Sequence, residues 1–130
     1  VMTIHPLVEW TGGGLVNNPQ DLVRWAKALY EGEAIAGDYL DELVAVGFAP
    51  DPEQPEAGYG LGVSIAASDH GPRWGHGGFF PGYNSILAYF PAHRVAVAIQ
   101  INSDKSEAGR HAMTLAGIVL DAVAAADPAG

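Results

Sequence analysis

Residues Gly75 to Asn102 read GHGGFFPGYNSILAYFPAHRVAVAIQIN, and this stretch decides the fold. Strand-like runs fit Ser85 to Phe90 and Val95 to Ile101, with a turn at Pro91 to His93 between them. In the second run large residues alternate with mostly small ones, so one face of that strand lets a helix pack closely. Because the connection is short, we expect the two strands to be antiparallel.

The segment before this stretch has the same period of two. From Tyr59 to Ala66, large residues alternate with glycine, serine and alanine, which predicts one continuous strand. The prolines and acids between Phe48 and Gly58 predict a surface loop before that strand. A turn at Ser68 to Pro72 then leads into the glycine-rich sequence.

Helices are predicted near both ends of the chain. The first begins at a capping Asn18 followed by Pro19, and Gly32 ends it. Its predicted core-facing stripe consists of Leu22, Trp25, Ala26 and Leu29. A shorter helix is predicted at about Asp38 to Ala45, and a last one at about Ser106 to Ala125. Two adjoining apolar stripes imply deep burial of the last helix: Met113, Ala116, Leu120 and Val123, and Leu115, Ile118, Val119 and Ala122.

Together these elements predict an α+β fold in which an antiparallel sheet is packed by an N-terminal and a C-terminal helix. The length of 130 residues, with 48% hydrophobic and 16% charged residues, predicts a single globular domain over residues 1–130. The formal net charge of −9 opposes binding to phosphate backbones and anionic lipid, so we expect neither nucleic acid nor a membrane as partner.

The residue types also argue against a metal or an organic cofactor. There is no cysteine, which excludes disulfides and thiolate chemistry but leaves the cellular compartment open. The five histidines form no close metal-ligand pattern, and the glycines at 58, 60 and 62 precede no helix of a dinucleotide fingerprint. We therefore expect no metal and no cofactor.

The sequences WGHGGFFPGYNSILAYFP and VAVAIQIN, together with GGGLVNNPQDLVRWAKALYEG and YGLGVSI, carry a family resemblance. They resemble the C-terminal portion of the serine β-lactamase and penicillin-binding-protein superfamily, nearest to its class C-like branch of DD-peptidases and esterases. The resemblance implies a partial β-lactamase or DD-peptidase-like fold. His76, Gly77 and Gly78 match the family's third motif, Lys-Thr-Gly or His-x-Gly.

The resemblance also implies site residues. His76 would be a donor or cation beside the nucleophile, and the backbone N–H of Phe79 would belong to the oxyanion hole. Gly77 and Gly78 would let a substrate approach the backbone closely, with Asn102 as a further contact. Other interpretations remain open: His76 ends a strand, the glycine pair marks a bulge or turn, and Asn102 starts a turn after the last strand.

The family's first two motifs, Ser-x-x-Lys and Tyr-x-Asn, do not occur in this sequence. None of the five serines is followed three positions later by lysine; they stand at positions 64, 68, 85, 103 and 106. The chain is therefore interpreted as the C-terminal part of a serine hydrolase that acts on a small-molecule β-lactam, peptide or ester. Alone it is expected to be inactive. Gly77, Phe79 and Phe80 replace a hydroxyl and small residues of relatives, which favours an esterase-like parent.

A second hypothesis is a non-catalytic binding or oligomerisation module on the same scaffold. In relatives, N-terminal strands pair alongside the last strand, which is Val95 to Ile101 here. Without them this strand would be an apolar edge, so the sequence predicts a homo-oligomer through it.

Overall fold

A computed structural model describes residues 10–45, 47, 57–103, 105 and 108–126. Five strands form one antiparallel sheet in chain order: β1 (Gly58–Tyr59), β2 (Ser64–Ala66), β3 (Arg73–Phe80), β4 (Tyr83–Phe90) and β5 (Val95–Ile101). Three helices accompany them: α1 (Pro19–Tyr30), α2 (Leu40–Val44) and α3 (Ala108–Ala126). The predicted α+β class is confirmed. Over the described ranges, no helix is long and apolar enough to cross a membrane.

Helix α1 begins where the sequence predicts. The Asn18 side chain accepts a hydrogen bond of 3.0 Å from the backbone N–H of Asp21, which satisfies one of the free donors of the first turn. The predicted core-facing stripe is wrong for Trp25, which is 51% exposed. The stripe is right for Ala26, which is buried, and Tyr30, four residues further along the same helix face, is buried as well.

The two long helices pack on opposite faces of the sheet. Tyr30 of α1 stacks on Tyr89 with ring centroids 5.3 Å apart, and Ala96 packs into the same cluster from the small face of β5. On the other face, α3 packs on Phe90 and Val97. The predicted small face of β5 is therefore confirmed as the surface that admits a helix.

The predicted deep burial of α3 on two stripes is wrong. Its buried residues follow a spacing of four along a single stripe: Ala108, Ala112, Ala116 and Leu120. The adjoining stripe points away from the sheet, with Leu115 at 42% and Ile118 at 64% exposure, and Val123 is 43% exposed. One flat sheet face covers only one side of a helix, so an apolar sequence alone does not place both stripes in contact. Ser106 and Glu107, at the start of the predicted helix, lie outside the described residues.

The predicted continuous strand from Tyr59 to Ala66 is also wrong, since this segment folds back on itself. Tyr59 pairs with Ser64 across a tight turn, which divides the segment into β1 and β2. Gly62 in the turn has a φ of 75°, a conformation that glycine adopts without strain. Most of the loop predicted at Phe48 to Gly58, residues 48–56, lies outside the described residues.

Candidate functional site

Strand β3 is paired with β4 from Trp74 to Phe80 on one side, and only at its start on the other. Three pairs join β2 to β3, the last of them Ser64 with Gly75. From His76 to Phe80, β4 is the one strand that pairs with β3 in the part of the chain that the structure describes. These five residues are exposed to solvent. We call residues His76 to Phe80 of β3 the open edge.

The direction of the backbone groups along the open edge follows from the hairpin. Phe80 pairs with Tyr83 across the two-residue Pro81-Gly82 turn, and a turn of this length brings the flanking pair into hydrogen-bonding contact. Hydrogen-bonded and non-bonded pairs alternate from there. Phe79 therefore directs its backbone N–H and C=O away from β4, toward solvent, and so does Gly77.

His76 lies at the first position of the open edge and uses both ring nitrogens. Its Nε2 is 2.6 Å from the hydroxyl oxygen of Tyr59, and its Nδ1 is 2.6 Å from the carbonyl oxygen of Gly77. The Tyr59 and His76 rings meet edge to face, with centroids 5.7 Å apart and an interplanar angle of 78°. The interpretation that His76 ends a strand is wrong, because β3 continues to Phe80.

The two glycines after His76 lie within a regular ladder. Strands β3 and β4 pair one to one from Trp74 to Phe80, so the glycine pair marks neither a bulge nor a turn. A Cβ at Gly77 would meet the Ile86 side chain at 3.7 Å and the carbonyl oxygen of Ser85 at 3.9 Å, both ordinary contacts. A Cβ at Gly78 would overlap the Oγ of Ser85 on β4. Gly78 thus leaves room for the Ser85 hydroxyl, whereas Gly77 leaves one face of β3 without a side chain at this position.

Asn102 is exposed and follows β5 directly. In the register of the sheet, His76 lies opposite Leu87, and Leu87 lies opposite Ala98. Asn102 is therefore two strands across and four residues along from His76, roughly 17 Å away at ordinary strand spacings. The structure brings His76, Gly77, Gly78 and Phe79 together on one edge and leaves Asn102 apart from His76.

Exposed aromatic rings surround the hairpin end of the open edge. Phe79 is 66% exposed, Phe80 40% and Tyr83 62%. Side chains alternate between the faces of a strand, so Phe79 and Phe80 lie on opposite sides of β3. A molecule bound along this edge would meet an apolar ring on either face.

The sequence did not single out Tyr59 as a site residue. The prediction of one strand from Tyr59 to Ala66 placed this side chain on the large face of that strand. The hairpin instead returns the chain so that the Tyr59 hydroxyl reaches past the end of β2 to His76. The Tyr59 phenol is also near Tyr30. Burial raises the pKa of Tyr30 to about 12, and the nearby Tyr59 phenol adds to the rise. Two glycines within three residues, Gly60 and Gly62, are the signal that could have predicted the turn.

A family profile described as Beta-lactamase matches residues 2–120 of the chain. The chain belongs to the β-lactamase family. Its motif of His76, Gly77 and Gly78 thus lies on β3 of a sheet from the serine β-lactamase and penicillin-binding-protein superfamily. No curated protein sequence gives a significant match.

Two solved structures of the superfamily share this fold. A D-stereospecific amidohydrolase from Streptomyces sp. has 28% sequence identity and a TM-score of 0.69, over 78% of this chain and 30% of that one. A penicillin binding protein from Bacillus halodurans has 20% identity and a TM-score of 0.62, over the same shares of 78% and 30%. This β-lactamase-family chain thus spans about a third of the length of either structure.

Proposed function

We propose that these 130 residues form one wall of an acyl-transfer site in a serine hydrolase of the β-lactamase family. One observation carries the proposal: the His76 side chain and the outward backbone N–H of Phe79 belong to the same open edge of β3, which pairs only with β4 among the described residues. A substrate laid along this edge would meet a side chain that can carry positive charge, followed by a backbone donor about three residues further on.

In this proposal the Phe79 N–H donates to the carbonyl oxygen that becomes negative when the acyl group is attacked. One such donor is worth roughly 3 kcal/mol of transition-state stabilisation, because it is already in place when the charge develops. His76 lies at the other end of the edge, where a cationic imidazolium attracts an anionic substrate group or intermediate.

The residues around the edge favour an ester or amide with an apolar acyl group. Gly77 offers no hydroxyl to a substrate carboxylate, whereas Phe79 and Phe80 offer exposed apolar surface on both faces of β3. Such rings bind apolar groups by removing their surface from water. The name of the Streptomyces relative, a D-stereospecific amidohydrolase, supports an amide of a D-configured acyl group as one candidate substrate.

The proposal assigns no nucleophile to these residues. Acyl transfer needs an activated hydroxyl, and no serine of this sequence is followed three positions later by lysine. We place the nucleophile in an N-terminal part of the same polypeptide, so that the 130 residues alone bind an acyl group without turning it over.

Binding can be tested without turnover by following the backbone amides of the ¹⁵N-labelled chain during titration with N-acetyl-D-phenylalanine. Its carboxylate imitates an oxyanion and its ring imitates an apolar acyl group. Moderate salt screens the net charge of −9. We expect the largest shift at the Phe79 amide, and loss of the effect in His76→Gln. The control His93→Gln, an exposed histidine in the turn between β4 and β5, should leave it intact.

A titration without shifts along the open edge at millimolar ligand would contradict the proposal. So would shifts that His76→Gln leaves unchanged. The L enantiomer provides the second arm: equal binding of both enantiomers would remove the argument for a D-configured acyl group but leave the wall itself.

A different observation supports a second candidate function, self-association. Strand β5 pairs with β4 on one side and has no second strand partner among the described residues. Unpaired strand edges bind further strands. We propose that a second copy pairs along Val95 to Ile101. Light scattering should then show a dimer that Ile101→Lys converts to monomer. A wild-type monomer at high concentration would contradict this.

A further inference from the structure

The hydrogen bonds of His76 determine which ring nitrogen carries its proton. The Gly77 carbonyl oxygen only accepts hydrogen bonds, so Nδ1, 2.6 Å from it, must be a donor. A neutral imidazole has one N–H group, and with that hydrogen on Nδ1 the lone pair is on Nε2. The Tyr59 hydroxyl, 2.6 Å from Nε2, is then the donor of the second bond.

We infer that Tyr59 is a positioning residue for His76. The Gly77 carbonyl keeps the proton of the neutral imidazole on Nδ1, and the Tyr59 hydroxyl donates to the Nε2 lone pair and so holds the ring in this orientation. Histidine in water favours the opposite Nε2–H tautomer, so the hydrogen bond to the Gly77 carbonyl must reverse this preference. The inference rests on the proposed function for its purpose, since it specifies how His76 is presented on the open edge.

The contact between His76 and the Tyr59 hydroxyl is also compatible with the protonated, charged state of His76. A protonated ring carries hydrogen on both nitrogens, and the Tyr59 oxygen can accept from Nε2–H once its own hydroxyl hydrogen has rotated away. The contact therefore persists in both charge states, which keeps the ring in one orientation. The hairpin supports it: β2 stops pairing with β3 at Gly75, one residue before His76, and leaves room for the phenol to reach across.

This arrangement limits how His76 can act. In the neutral state its basic nitrogen faces Tyr59, so a substrate on the open edge does not meet that lone pair directly. His76 contributes as a cation when protonated, or as a base only through the phenolic oxygen of Tyr59. A proton taken from substrate would then pass to the Tyr59 oxygen as the phenol hydrogen passes to Nε2.

The tautomer can be measured on the full chain by long-range ¹H–¹⁵N correlation at mildly alkaline pH, where histidines are neutral. His76 is assigned by the signals that disappear in His76→Gln. We expect a pyrrole-type shift at Nδ1 and a pyridine-type shift at Nε2. In Tyr59→Phe the Nδ1–H tautomer should remain, but the pyridine-type Nε2 signal should move downfield because it loses the hydrogen bond from the phenol. The control Tyr83→Phe removes an exposed phenol on β4 and should change neither signal.

Two results would overturn the inference: an Nε2–H tautomer of His76 in the wild-type chain, or an unchanged Nε2 shift in Tyr59→Phe. The wild-type spectrum decides the first even where the variant fails to fold. Neither readout uses a substrate. An Nε2 signal that depends on Tyr59, in a chain that binds no acyl ligand, would therefore keep this inference and refute the proposed function. Binding of the acyl ligand by a chain whose His76 is the Nε2–H tautomer would refute this inference and keep the proposed function.

Discussion

Gly75 lies so close to the backbone of Leu87 on the neighbouring strand that no Cβ atom fits between them. A Cβ built at position 75 would overlap the carbonyl oxygen of Leu87, which belongs to the residue paired with His76. The glycine immediately before the motif therefore sets how closely β3 and β4 approach at the start of the open edge.

Gly75→Ala should destabilise the protein by about 1–3 kcal/mol, because strand backbone must shift to admit the methyl group. Chemical denaturation measures the change in the free energy of unfolding. Gly77→Ala is the matched control, since its Cβ would make only ordinary contacts, 3.7 Å to the Ile86 side chain and 3.9 Å to the Ser85 carbonyl oxygen. Equal stability of the two variants would contradict a contact between Gly75 and the Leu87 backbone that is too close for a Cβ atom.

The single buried stripe of α3 gives a second prediction. Leu120 is 1% exposed in the cluster beneath the helix, so Leu120→Ala should lower the free energy of unfolding by about 2–5 kcal/mol. Ile118 is 64% exposed, and Ile118→Ala should change it by no more than about 0.5 kcal/mol. Comparable losses in both variants at high dilution would mean that the outer stripe of α3 is covered.

A cluster of charges at the end of α1 gives a pH dependence. Hydrogen bonds from Arg94 and Lys27 lower the pKa of Glu31 from its ordinary 4.5 to about 2. The folded state thus favours the carboxylate, so this contribution to stability is complete above about pH 4.5 and is lost as the pH falls toward about 2.

In Glu31→Gln this contribution is absent. The melting temperature of the wild-type chain should exceed that of Glu31→Gln at neutral pH, and the difference should shrink steadily below about pH 4.5. Thermal melts of both proteins across this range measure it. If the difference in melting temperature stays constant down to about pH 2, the charge of Glu31 is not what the substitution removes from stability.

The parts of the fold that were predicted correctly depend on local chemistry. Asn18 and Pro19 specify the start of α1 by themselves, and the alternation from Val95 to Ile101 needs only one face to admit a helix. The strand predicted from Tyr59 to Ala66 failed because glycines that fit the small face of a strand also permit a turn. Whether a residue is covered depends on distant elements, so the sequence of α3 could not show that Ile118 faces solvent.

The candidate site could be predicted from the sequence only where its residues are consecutive. A motif of consecutive residues, His76 to Phe79, necessarily lies together on one strand once β3 forms. The contact of Tyr59 with His76 spans 17 residues and exists only because the intervening chain folds into a hairpin. The separation of Asn102 from His76 depends on the register of three strands, which no short stretch of sequence specifies.

The central claim is that these residues supply the wall of a serine-hydrolase site without its nucleophile. Intact mass after exposure to a fluorophosphonate, together with hydrolysis of a chromogenic ester and a chromogenic cephalosporin, tests it most directly. The account predicts an unmodified chain and no turnover. A stable adduct with turnover would contradict it, above all on Ser85, whose hydroxyl lies beside Gly78 on the open edge.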